Sequence, residues 1–217
     1  MKFLTCLFLG LNHGQEFQLA PNHCNVADPS STALNILFNS ANVAERNDKV
    51  LKVLDTAGSV GQVGYLASDD EQQMMEEVAE DIFSFSEKKP ARFPLTGEHK
   101  LVYSAAEGAS SGRVFGNVVG KVSQLFETDE IFYNRVNFGP LQIALKAKRQ
   151  IMNDSTIKVS FLETSFNLFG KTLKKGKVGG GGVWKVKFVG KVQDENGKEK
   201  LVRIMETPSL FVLEQEL

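Results

Sequence analysis

Between residues 183 and 213 the chain alternates apolar and polar side chains with a period of two. Trp184, Val186 and Phe188 are separated by Lys185 and Lys187. A strand sends successive side chains to opposite faces, so such a segment carries one apolar face and one charged face. The turn Asp194-Glu195-Asn196-Gly197 follows, and Asn-Gly between such runs is a strong hairpin signal. Residues 200–205 and, beyond Thr207-Pro208, residues 209–213 continue the pattern. Consecutive antiparallel strands with one apolar face must curl around something, either their own side chains or a ligand.

The same period extends back to Leu95. It predicts strands over 97–104, 113–127, 131–138, 141–148, 156–163, 183–192, 200–205 and 209–214, punctuated by turn formers such as Gly139-Pro140 and Asn153-Asp154. Eight short strands with local connections predict an up-and-down antiparallel barrel, with room for side chains or one small ligand. The inward face is predicted to carry Leu101, Tyr103, Val159, Phe161, Trp184, Val186 and Phe188. These residues either fill the core or line a cavity for an apolar ligand.

Ahead of the barrel the period is helical. Asn47 is predicted to cap a helix carrying Val50, Leu51 and Leu54, which ends near Gly58 and follows a separate helix around Leu34 and Phe38. Ser68 and Glu71 have capping-box spacing before Met75, Val78, Ala79, Ile82 and Phe83. The division is therefore a leader or targeting remnant over 1–28, a helical segment over 29–90 and the barrel over 91–217. The class is mainly β, of the α+β kind.

Composition excludes several functions. The 217 residues carry a net charge of -1, without the basic surplus of a nucleic-acid binder. The two cysteines, Cys6 and Cys24, cannot staple the fold, which fits a reducing compartment. His13, His23 and His99 have no zinc-site spacing, no nucleophile elbow is present, and no cofactor is expected. Residues 171–182 read as a basic, glycine-rich loop. Lys171, Lys174, Lys175 and Lys177 with Phe169 make it a candidate contact for anionic lipid headgroups.

Several ordered motifs resemble the plastid lipid-associated proteins, also called fibrillins or plastoglobulins. Leu95-Thr96-Gly97-Glu98-His99-Lys100-Leu101-Val102-Tyr103-Ser104 is similar to their first strand, and Gly120-Lys121-Val122-Ser123-Gln124-Leu125-Phe126 sits where the second is expected. Asn134-Arg135-Val136-Asn137-Phe138 resembles their central Arg-Val-x-Phe strand. Leu201-Val202-Arg203-Ile204-Met205 and Leu210-Phe211-Val212-Leu213 resemble the closing strands. His99 stands where the family has a tryptophan, so Arg203 would cap a smaller ring, and the insertion usual between the last strands is missing.

The resemblance implies a lipocalin-like barrel in a plastid protein (chloroplast thylakoid or plastoglobule). It implies binding or organising of apolar lipids, quinones or carotenoids without catalysis. Tyr103, Phe161, Trp184, Val186, Phe188 and Arg203 are the expected ligand-binding residues. The competing expectations are an assembly or scaffold protein acting through its surface on a membrane complex, and an enzyme working on lipids or isoprenoids inside the barrel.

Overall fold

The computed structural model describes residues 29–115 and 118–217. The leader reading of 1–28, with Cys6, Cys24, His13 and His23, lies outside the described residues. Asn39–Leu217 forms one compact unit, and the account below concerns it except where helix α1 begins earlier.

Helix α1 spans Pro29–Val60, where two helices were expected. Nothing between residues 39 and 47 breaks it, and Asn47 serves another purpose than capping. Its side-chain amide donates to the Gln193 carbonyl at 2.9 Å and accepts from the Gln193 N–H at 2.8 Å, as a neighbouring strand would. Gly61, at φ +93°, ends the helix by donating its N–H to the Ala57 carbonyl, the left-handed stop that favours glycine. Helix α2, Asp69–Glu80, opens on the full capping box: Ser68 accepts from the Glu71 N–H, and the Glu71 carboxylate accepts from the Ser68 N–H at 2.8 Å.

Eleven strands follow. They are β1 (Gly97–Ser104), β2 (Arg113–Phe115), β3 (Val118–Val119), β4 (Lys121–Phe126), β5 (Ile131–Phe138), β6 (Leu141–Ile151), β7 (Thr156–Leu168), β8 (Lys171–Lys177), β9 (Gly181–Gln193), β10 (Glu199–Glu206) and β11 (Leu210–Glu216). Neighbours pair antiparallel in the order β6-β5-β4-β1-β11-β10-β9-β7, and β6 pairs with β7 to close the ring. The result is an eight-stranded up-and-down barrel, the lipocalin-like architecture expected. The expected strand 113–127 divides: β2 and β3 pair only with each other, and β4 alone joins the ring. Residues 171–177, read as a loop, form β8, which pairs with the outer half of β7 in a hairpin extending from the ring.

Extra residues in β1 and β9 set which side chains of those strands face inward. Leu101 pairs with Leu213 but Tyr103 pairs with Val212, leaving Val102 as a bulge in β1. Phe188 pairs with Ile204 but Val186 pairs with Met205, leaving Lys187 as a bulge in β9. A one-residue slip exchanges the two faces of a strand. Leu101, Trp184 and Val186 therefore point inward, while Tyr103 and Phe188 point outward, which corrects their expected place in the lining. Tyr103, Val212, Ile204 and Phe188 form one outer row across β1, β11, β10 and β9.

The helices cover this row. Val50, Val53 and Ala57 from α1, with Met75, Val78 and Ala79 from α2 and Ile82 beyond it, share one buried cluster with the four row residues. Each large apolar side chain buried there contributes roughly 1.5–3 kcal/mol. The Tyr103 ring lies so close to Gly64 that a Cβ there would stand 2.1 Å from it, and Gly190 leaves similar room for Phe188. Lys187, the bulge residue, extends over the Phe83 ring at 5.1 Å and pairs with Glu206 at 2.9 Å.

Phe188→Ala is expected to lower unfolding stability by about 3–5 kcal/mol without altering ligand binding inside the barrel. Urea unfolding read beside a binding titration checks both halves; a parallel loss of binding in the folded variant would return Phe188 to the lining.

Candidate functional site

Inside the ring lies a cavity of about 240 Å³. Its walls come from alternate residues of the strands: Leu101, Val122, Val136, Leu145, Phe161, Trp184, Met205 and Leu213. Ala109 and Ser110 after β1, and Thr207 after β10, also border it. Because β1 and β10 run in the same direction round an antiparallel ring, their exits share one end, so these residues mark the mouth. Gln124 and Asn134 are amide groups in the lining, and none of the described residues lining it is ionisable.

The opposite end is closed by the segment before β1. Ala91 donates its N–H to the Asp154 carbonyl, and Leu95 donates to the Asp129 carboxylate at 2.9 Å. Arg92 pairs with Asp154 at 2.6 Å. Arg149 is almost fully buried; it pairs with Asp129 at 2.8 Å and also donates to the Phe93 carbonyl. Asp129 and Asp154 sit in the turns after β4 and β6, so two turns hold one strap across the floor.

An aromatic series connects floor and cavity. Trp184 meets Phe132 edge-on at 6.0 Å, Phe132 stacks on Phe126 at 5.1 Å, and His99 meets Phe126 edge-on at 5.4 Å. The Arg203 guanidinium lies over the same Phe126 ring at 5.2 Å. Arg203 therefore stacks on Phe126 rather than on residue 99. It donates to Gln124 Oε1 at 3.4 Å and to the Met205 sulfur at 3.1 Å, and its Nε has no partner. Burial, then the neighbouring Arg149, pulls its pKa down to about 9, so it stays charged at neutral pH. His99 is fully buried. Neither ring nitrogen makes a hydrogen bond; the Thr96 main chain, which favours the charged form, lies outside bonding geometry.

Of the expected ligand-binding residues, Phe161 and Trp184 line the cavity. Val186 is buried in the inner cluster behind it. Arg203 is buried beneath Gln124 and Met205, while Tyr103 and Phe188 lie outside against the helices. Gln124, Asn134 and Met205 were missed. Gln124 and Asn134 each occupy an inward slot between apolar neighbours, Val122 and Phe126 or Phe132 and Val136, and a lone amide at such a slot is a readable sign of a polar contact.

The expected membrane-contact residues lie on the β7–β8 hairpin. Every residue of β8 is exposed. The pairing places Lys174 opposite Phe166, Lys171 opposite Leu168, and Lys175 and Lys177 opposite Ser165 and Glu163. Lys175 is bonded to Glu163 at 2.8 Å, so the four lysines are divided rather than gathered on one face. Phe169 at the tip is 79% exposed and Leu173 65%. Among the described residues no cluster of side chains can hold a metal ion. No protein-family model, curated protein or solved structure matches the chain.

The burial of His99 gives a pH signature. Burial, reinforced by Arg203, lowers its pKa from 6.5 to about 3. The unfolded chain takes up this proton below its ordinary value while the folded chain does not, so stability falls as pH drops through that window, by up to about 1.4 kcal/mol per unit. Urea midpoints between pH 7 and about 5, before most carboxylates titrate, are expected to fall less in His99→Phe than in the parent. Equal slopes would mean that His99 is solvated.

Proposed function

We propose that this protein holds an apolar small molecule in its barrel, without catalysis, and works against an anionic lipid surface. The observation that carries this reading is the apolar cavity with Trp184 and Phe161 in its wall. A dry apolar cavity of about 150 Å³ accepts benzene, and drug-sized sites run from about 300 Å³ upward. A cavity of about 240 Å³ suits a ring or one stretch of chain, so the rest of a long lipid, quinone or carotenoid would leave through the mouth. Each Å² of ligand surface removed from water contributes about 25 cal/mol. The absence of ionisable groups from the lining favours holding over acid–base chemistry.

The lipid surface enters through the hairpin. Its β7–β8 turn lies at the mouth end, and β6 residues Ile143 and Leu145, which line the cavity, pair with Phe166 and Thr164 of the hairpin. Phe169 and Gly170 both have positive φ, 48° and 77°, a turn in which Asn-Gly is the usual pair. A phenylalanine there carries a backbone cost and exposes its ring, which favours insertion into an interface. Four lysines against Glu163 leave the hairpin cationic, with each near-surface lysine worth about 1 kcal/mol on anionic lipid. No helix among the described residues is long and apolar enough to cross a membrane. The exposed Phe169 and the cationic hairpin, together with the resemblance to the plastid lipid-associated proteins, favour a peripheral protein of thylakoids or plastoglobules in a chloroplast.

Trp184 is the sole tryptophan, so it reports occupancy directly. A benzoquinone with a decyl tail is expected to quench its fluorescence saturably, and Phe161→Ala to weaken binding about tenfold. Unsaturable quenching would overturn the holding role.

Phe169→Asp with Lys171→Glu and Lys174→Glu is expected to abolish sedimentation with phosphatidylglycerol vesicles, with quinone binding retained. If the parent ignores vesicles yet captures a membrane complex through this hairpin, the scaffold reading replaces the lipid one.

A further inference from the structure

We propose that the barrel floor seats the carboxylate of a single-chain amphiphile of the fatty-acid class, with Arg203 as its partner and the chain rising into the cavity beside Trp184. The inference rests on the holding role and names its ligand class.

Arg203 is 98% buried, with relative exposure of 2%, yet no carboxylate lies within ion-pair distance among the described residues. Arg149, the other buried arginine, has Asp129 at 2.8 Å. Among the described residues the barrel interior therefore carries one uncompensated positive charge, that of Arg203. A charge taken out of water needs a partner and satisfied hydrogen bonds. Arg203 has instead a long bond to an amide oxygen, a bond to a thioether, which is a weak acceptor, and an aromatic face. Its Nε, and both nitrogens of His99 beside the same Phe126 ring, have no hydrogen-bond partner. The Arg203 Nε–H and the single N–H of neutral His99 are unmet donors here, and no charged acceptor among the described residues faces them.

The placement connects this deficit to the cavity. Gln124 and Met205, the two acceptors that Arg203 uses, both line the cavity wall. A ligand oxygen entering between them takes over their bonds and offers a charged, bidentate acceptor, the geometry a guanidinium matches best. One compensating charge is called for, which a monocarboxylate supplies and a phosphate monoester exceeds. The apolar walls above take a methylene chain, and the mouth beside Thr207 lets its end continue outward.

The test compares decanoic acid, decan-1-ol and methyl decanoate on the full-length protein by Trp184 fluorescence. Decanoate is expected to bind at least about 30-fold more tightly than the alcohol or ester. Arg203→Met is expected to erase that preference while decanol binding persists, and Arg203→Lys to restore part of it. If acid and alcohol bind the parent equally, the carboxylate seat is overturned and the holding role stands. If none of the three binds and the quinone titration also fails, both fall. Should Arg203→Met not fold, the acid-to-alcohol ratio in the parent decides alone.

Discussion

Two single-residue bulges, in β1 and β9, decide which side chains of those strands are inside the barrel and which are outside. Had β1 and β9 kept strict alternation, Tyr103 and Phe188 would crowd the interior with Leu101, Val186 and Trp184, and the outer wall would lose its two largest rings. Val102 and Lys187 absorb one residue each. The barrel then has apolar residues on both faces over β1, β11, β10 and β9, and only one of these faces can be satisfied by closing the ring. The outer one needs a cover, which α1 and α2 supply. The helical segment thus covers the outer face that the slip in the strands makes apolar.

This division explains what could be read from the residues and what could not. Ser68 with Glu71, and Asp194 to Gly197, are local signals whose hydrogen bonds form within a few residues, and both formed as expected. The barrel was legible because the strands from β4 to β7 and from β9 to β11 meet in chain order through short turns. The bulges left a fainter mark. Leu101-Val102-Tyr103, Phe188-Val189 and Phe211-Val212-Leu213 are unbroken apolar runs, the pattern of strands buried on both faces. Reading β1 and β9 with a strict period of two assigned Tyr103 and Phe188 to the wrong side. Strand β8 was illegible for the opposite reason: with no buried face, Lys171-Thr172-Leu173-Lys174-Lys175-Gly176-Lys177 has no apolar period to find.

Along its axis the barrel is strongly polarised. At one end the strap over residues 90–95, held by Asp129 and Asp154, closes the floor above two buried arginines. At the other lie the mouth, the exposed Phe169 and the cationic hairpin. The series His99, Phe126, Phe132 and Trp184 runs from the floor to the cavity wall. An amphiphile drawn from a lipid surface would meet apolar walls first and the unpaired cation last. Polar solutes gain little on that route, because desolvation comes before any compensating contact.

Residue 99 bears on the same floor. Phe126, not His99, takes the Arg203 guanidinium on its face, and His99 meets that ring by its edge. The floor thus holds a buried guanidinium whose Nε, and a buried imidazole whose ring nitrogens, have no bonded partner. A core built only for packing would gain nothing from either group, since both raise the cost of burial. Both make sense if the floor must receive a polar group, because a site that waits for a ligand's acceptor must leave its own donors unmet.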